Sequence, residues 1–158
     1  MTKTQATDAY WRTFANQPDL QGTDYQVVAF GNTPKMASEL AAFVVAGTKR
    51  ATAGLLRDFT EGGEPMPVAG GYVVCVDGTG TPQCIWRTSE VEIGPLNTVD
   101  EQFAWDEGEG ERTRAWWLAG HIRYFTRQAE REGFAMHDAI ETVFERFIVV
   151  WPAEIADA

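Results

Sequence analysis

Met36-Ala37-Ser38-Glu39-Leu40-Ala41-Ala42-Phe43-Val44-Val45-Ala46 runs directly into Gly47-Thr48-Lys49-Arg50-Ala51-Thr52. The first segment sets Met36, Leu40, Phe43 and Val44 at helical spacing on one face. Thr33 and Pro34 ahead of it supply an N-cap and a first-turn proline, and Gly47 can take the left-handed geometry that ends a helix. Thr52 to Leu56 then reads as a short strand. Lys49 therefore falls just outside the helix, and a cation and a hydroxyl three positions apart occupy a helix-to-strand junction. Two readings of that junction stand: it positions chemistry, or Lys49 and Arg50 serve the last carbonyls and the dipole of the helix.

Working outward, Ala6 to Asn16 reads as a helix with Tyr10, Trp11 and Phe14 in its apolar stripe, ended by Pro18. Tyr25 to Phe30 is a β-prone run. Beyond the junction, residues 61–67 form a loop, and strands over Tyr72–Asp77 and Gln83–Ile93 flank a turn at Gly78-Thr79-Gly80-Thr81. Cys75 and Cys84 lie symmetrically about that turn, where each suits a small hydrophobic role. Helices over Asn97–Ala104 and Thr113–Glu132 are separated by the acidic, glycine-containing stretch Asp106-Glu107-Gly108-Glu109-Gly110-Glu111. Val143 to Trp151 is apolar enough for the middle of a sheet. Helices and strands alternate without βαβ repeats, which predicts an α+β fold: a small curved or barrel-like sheet with helices across its openings.

At 158 residues, 44% hydrophobic and 12% aromatic, the chain has material for one domain with a full core. No apolar run approaches the ~20 residues that cross a bilayer, and no apolar signal follows the N-terminus, so a cytoplasmic protein without a membrane partner is expected. The net charge of −10 opposes broad binding to phosphate backbones, and long duplexes with it. A nucleoside, a nucleotide or a single-stranded segment entering a cleft remains compatible with it. Two Cys and two His at unrelated spacings do not make a zinc site.

Three constellations carry candidate chemistry. Lys49 and Thr52 are flanked by Val44, Val45, Leu55 and Leu56, whose desolvation would push the lysine pKa down and make it a base or a nucleophile toward an acyl carbon. Asp106, Glu107, Glu109 and Glu111 offer a general acid or base, a site for a hard cation, or simply a solvated loop. Trp117, His121, Tyr124 and Gln128 share a helix face beside Phe125, which suits stacking of a base or ordinary core packing. Arg112 and Arg114 would bind phosphate or pair with neighbouring glutamates. Phosphate-loop, dinucleotide and nucleophile-elbow motifs are absent.

The Gly47–Thr52 segment resembles the signature of the ASCH domain family, whose general pattern is G-x-K-x-x-E-x-R. Ala46 to Leu56, Glu90-Val91-Glu92-Ile93, Phe103 to Gly110 and Glu145-Arg146-Phe147 are similar to its bacterial branch of this length. The resemblance implies a PUA-like small β-barrel with helices flanking a cleft: residues 1–30 as a helix and strand packed on it, 31–152 as the domain and 153–158 as a tail. It also implies a link to RNA or modified nucleosides. Some small members resemble amidohydrolases acting on N4-acetylcytidine through a lysine, a threonine and a glutamate, which fall here on Lys49, Thr52 and Glu107. Thr52 stands where the signature has glutamate and Gly54 where it has arginine, so Arg50, Arg57 or Arg112 would have to anchor the substrate.

The leading expectation is amidohydrolysis of an acylated cytosine without a cofactor. Lys49 would activate Thr52 or attack directly, Glu107 would carry protons, and backbone N–H groups near Gly47 would hold the oxyanion. Arg50, Gly47, Arg112, His121 and Tyr124 are the expected substrate contacts. One alternative is a metal-dependent ribonuclease, with a divalent ion on Asp106, Glu107 and Glu109 and with Lys49 and Arg50 on the phosphate. The other is a noncatalytic module binding RNA or a nucleotide.

Overall fold

Strand β3 (Tyr72–Val76) points Val73 and Cys75 to one side and Val74 and Val76 to the other. In the computed structural model, which describes residues 1–158, a different helix covers each side. Helix α1 (Gln5–Ala15) lays Trp11 and Phe14 on Val74, Val76 and Ile85, while α2 (Pro34–Ala46) lays Ala41 and Val44 on Val73, Cys75 and Trp86. A strand buried on both faces gains apolar burial from every residue, which is why its run is continuously apolar rather than alternating.

The sheet has five strands in the order β1-β3-β4-β5-β2, with β1 (Gln26–Val28) parallel to β3 and the other pairs antiparallel. The long strands β4 (Pro82–Pro95) and β5 (Glu141–Trp151) slip register after Ile85 and again between Thr88 and Glu90. Such bulges bend a strand and increase its twist. The sheet consequently curls into a half-barrel, the curved α+β architecture expected, and its edges β1 and β2 (Ala51–Leu55) do not pair with one another. The gap between these edges is the mouth of a cleft.

Cys75 and Cys84 are direct cross-strand partners, buried and free. Thr33 caps α2 through the Met36 N–H, and Gly47 closes it with a φ of 93°. The buried face of α2 is Ala37, Ala41 and Val44, one step round from the expected stripe, and Phe43 is 39% exposed. The small alanines let the helix approach the sheet closely.

The strand after the junction ends at Leu55 and turns into a short helix α3 (Leu56–Thr60) that the sequence reading lacked. The expected helix over Asn97–Ala104 is instead a 3₁₀ turn (Leu96–Thr98) followed by α4 (Glu101–Glu107). The Asp100 side chain accepts the Phe103 N–H at 2.8 Å and resets the start, so Asp106 and Glu107 end a helix rather than lie in a loop. Helix α5 (Arg114–Glu132) is capped by Thr113 and packs Trp117 and Phe125 against Phe103, Phe144 and Leu55, closing the far end of the half-barrel.

Candidate functional site

The end of α2 satisfies its own backbone. The Gly47 N–H donates to the Val44 carbonyl, the Thr48 and Lys49 N–H groups both donate to the Phe43 carbonyl at 3.1 and 3.2 Å, and the Arg50 N–H donates to the Asp106 carbonyl at 2.6 Å. None of these four donors is free, so the oxyanion hole expected near Gly47 does not exist there. Arg50 is likewise committed. Its guanidinium donates to the Val44 and Lys49 carbonyls and grips both oxygens of Asp157 at 2.9 Å. Asp157 also accepts the Val149 N–H, so the segment expected as a tail is tied to the sheet. Arg50 is a clasp, the cap-type role that cations near a helix end can take, rather than a substrate contact.

Lys49, one residue earlier, turns inward and is only 1% exposed. Its ammonium forms ion pairs with Glu107, itself 2% exposed, and with Glu109 at 3.1 Å. Gly108 makes this three-way contact possible. It sits at φ 73° with its α-carbon so close to the Thr48 carbonyl that a Cβ would lie 2.1 Å from the oxygen, letting the chain reverse and aim both glutamates at one ammonium.

The electrostatics differ from the sequence expectation. Burial does pull the Lys49 pKa down, but Glu107 and Glu109 together outweigh it and the pKa is raised, so this lysine rests as a cation and not as a free base. Glu107 is buried too, yet Lys49 and then His121 hold its carboxyl well below the usual range. Glu109 takes the opposite course: burial, reinforced by the Glu107 charge, overcomes Lys49 and lifts it to about 7. A carboxyl locked as an anion does not suit the proton-carrying role expected of Glu107, and of the two glutamates only Glu109 changes charge near neutral pH.

His121 stacks on Trp117 with ring centroids 3.7 Å apart, places Nδ1 2.8 Å from the Trp117 carbonyl and brings Nε2 within 3.5 Å of Glu107. A carbonyl only accepts, so Nδ1 carries a proton. Trp117 itself is core. Lys49, Thr52, Glu107, Glu109 and His121 all line an inner chamber of about 190 Å³, roofed by Phe30. Tyr124 and Phe125 join it to an outer chamber of about 650 Å³ that opens between the two sheet edges. Gln128 lines only the outer chamber, where it donates to Asp58 at 2.7 Å.

The other expected site residues do not converge here. Arg112 lies over the Trp105 ring at 3.7 Å and donates to the Trp105 carbonyl at 2.9 Å, bracing the loop rather than facing the chamber. Arg114 holds the Asn97 and Val99 carbonyls. Asp106 points to Arg146 at 3.2 Å and accepts from Gln102, so Asp106, Glu107 and Glu109 do not form one ligand set, and no three acidic, His or Cys side chains meet as a metal site. Glu145, unassigned in the sequence, lines the outer chamber from β5, opposite Thr52 in the β2–β5 register. Its only sequence signal was an acid, beside Arg146, within the β segment Val143–Trp151.

A family model described as the ASCH domain matches residues 26–151. No curated protein matches significantly. Among solved structures, the chain is similar to the ASCH domain from Lactobacillus crispatus JV V101, at 26% identity and a TM-score of 0.84 over 94% of this chain and 96% of that one. It is also similar to protein EF3133 from Enterococcus faecalis V583, at 32% identity and a TM-score of 0.81 over 90% of this chain and 86% of that one.

Proposed function

This chain belongs to the ASCH domain family, and from that premise we propose that its cleft takes a nucleoside and hydrolyses an acyl amide on the base, N4-acetylcytidine being the concrete substrate. The observation that carries the reading is the buried Lys49–Glu107–Glu109 cluster at the floor of a base-sized, aromatic-roofed chamber that also holds a free threonine hydroxyl. A solvated RNA-binding groove needs no buried proton carrier. A site that must move a proton at neutral pH does.

In this mechanism Thr52 Oγ1 attacks the acyl carbon while Glu109, in its ionised form, takes the hydroxyl proton. Lys49 faces the developing oxyanion. Its third N–H has only the Glu107 carbonyl at 3.5 Å to compete for it, so the ammonium replaces the oxyanion hole that the backbone lacks. Glu109 then passes its proton to the departing amine and the C–N bond breaks; water, losing a proton to Glu109, attacks the acyl-threonine, and Glu109 returns that proton to Thr52 Oγ1 as acetate leaves. Glu107 keeps the ammonium charged and in place, and His121 holds Glu107 from its far side.

A second reading, a binding module for a nucleotide or an RNA end, draws on Thr52 making no hydrogen bond to Glu109, the base that hydrolysis requires, whose partner is Lys49. Incubating the protein with N4-acetylcytidine decides between them. Cytidine and acetate should appear in equal amounts, with turnover lost in Thr52→Val and Glu109→Gln. Saturable nucleoside binding without product would leave the module.

A further inference from the structure

Glu145 is 6% exposed in the middle of the interior strand β5, and no lysine, arginine or histidine pairs with it. A buried carboxylate without a cation is costly unless its oxygens are hydrogen-bonded. Only one of them is. Oε2 accepts from Trp86 Nε1 at 3.1 Å and from Thr88 Oγ1 at 2.6 Å, whereas Oε1 has no partner in the protein. Nor is Oε1 sealed in, because Glu145 lines the outer chamber and the only sealed, unpartnered side-chain atom is Trp117 Nε1. Trp86, the donor that fixes the carboxyl, is itself clamped between Phe30 and Phe147, with centroids 5.6 and 4.0 Å away. The result is a rigid acceptor aimed into the cleft beside Thr52, which directly opposite it in the β2–β5 pair shares its face of the sheet. The hydrolytic mechanism makes no use of it.

We propose that Glu145 is the recognition residue of this cleft: Oε1 accepts a hydrogen bond from an N–H or O–H on the non-reacting part of the ligand, and that ligand is an unphosphorylated nucleoside. The walls of the outer chamber give the second half of the statement. Asp58, Glu64 and Glu132 line it together with Glu145, four carboxyls against two cations, the guanidinium of Arg131 and the N-terminal ammonium of Met1, which pairs with Glu64 at 3.0 Å. A ribose or an amine meets acceptors there, while a phosphate meets a surplus of like charge. The inference rests on the nucleoside reading above but not on its chemistry, since it concerns binding.

Cytidine is the probe, titrated calorimetrically into the wild type, Glu145→Gln and Glu145→Asp, with thermal melts alongside. Glu145→Gln keeps the shape and an acceptor for Trp86 and Thr88 but turns an N–H₂ into the chamber; Glu145→Asp keeps the charge and withdraws the oxygen. Each folded variant should bind cytidine about tenfold more weakly or worse, as expected for a lost hydrogen bond to a charged group. If N4-acetylcytidine is turned over, KM should rise while kcat changes little. Cytidine 5′-monophosphate should bind the wild type about tenfold more weakly than cytidine, and Glu132→Gln with Asp58→Asn should narrow the gap. Unchanged cytidine affinity in both Glu145 variants overturns the inference while leaving any observed hydrolysis standing. Tighter binding of the monophosphate or of a short single-stranded RNA than of cytidine overturns the ligand class. Glu145-dependent cytidine binding without hydrolysis supports the inference and removes the amidohydrolase. A wild type that neither binds cytidine nor turns over N4-acetylcytidine removes both.

Discussion

An ammonium with 1% of its surface in water has to be matched by anions, and Lys49 meets two. Removing it alone leaves Glu107 as an uncompensated buried charge. Lys49→Met is therefore expected to cost about 3–5 kcal/mol in urea unfolding, and Lys49→Met with Glu107→Gln to recover most of it, because the pair's mutual desolvation cost disappears with both charges. A double variant as unstable as the single one would mean that the pair is not the origin of the loss. Glu109 gives a second expectation at this scale. If it is the base at about 7, kcat/KM falls as pH drops below that value, and Glu109→Gln removes the limb along with most of the activity. That Lys49, Thr52 and Glu107 line one chamber was legible through the family resemblance, which puts the first two on one motif and reaches Glu107 by aligning the segment after the hairpin. The charge state of Lys49 was not. Its apolar neighbours at 44, 45, 55 and 56 are visible along the chain, whereas the carboxylates that reverse their effect lie 58 and 60 positions away.

Between elements, two contacts decide whether those side chains meet. Gly108 joins α4 to the acidic loop in a left-handed conformation with no room for a Cβ against the Thr48 carbonyl. Gly108→Ala should cost more than the ~1 kcal/mol of left-handed strain alone, and should lower activity by displacing Glu109, whereas Gly133→Ala, at a similarly left-handed C-cap with open space, should cost only the strain. Comparing both variants by thermal melt and turnover separates geometry from the site. Arg50 and Asp157 provide the second contact. Their bidentate pair is partly exposed, so a double-mutant cycle is expected to give about 1 kcal/mol, with Val149 amide exchange accelerated in Asp157→Ala and turnover almost unchanged. A large loss of turnover in Arg50→Gln would restore Arg50 to the site. The sequence could not make this choice. Adjacent residues leaving a helix end point in different directions, so Lys49 went inward and Arg50 onto the surface. The same ignorance of facing misassigned Phe43 to the core and Arg112 to the cleft, while the caps Thr33 and Gly47, which act within a few residues of themselves, were readable.

Across the whole molecule, what sequence could reach was what local pattern determines: most helices and strands in their order, α3 excepted, and the lack of regular βαβ repeats, and hence a curved α+β sheet. The half-barrel's open side was beyond it, because the bulges at Ile85 and between Thr88 and Glu90 fix the curl through cross-strand register. That open side gathers carboxylates in partial burial, with a consequence for stability. Glu109 holds its proton to about 7 in the fold against 4.5 when exposed, so between those values the folded chain binds a proton that the unfolded chain has released, and stability falls as pH rises through that window. Asp58 and Glu145, both raised by burial, act in the same direction. Glu107 acts oppositely: its carboxyl is lowered, its contribution is present above the usual carboxylate value, and it is lost as pH drops through the acid range. Self-repulsion at a net charge of −10 adds to the decline on the neutral side. The melting temperature is therefore expected to be higher at about pH 5.5 than at about pH 8, and to fall again in stronger acid. Glu109→Gln should flatten the decline between 5.5 and 8 and leave the acid limb, which belongs to Glu107, in place. A decline of unchanged steepness in that variant would show that Glu109 does not hold its proton in the fold, and would take the neutral-pH proton carrier out of the mechanism with it.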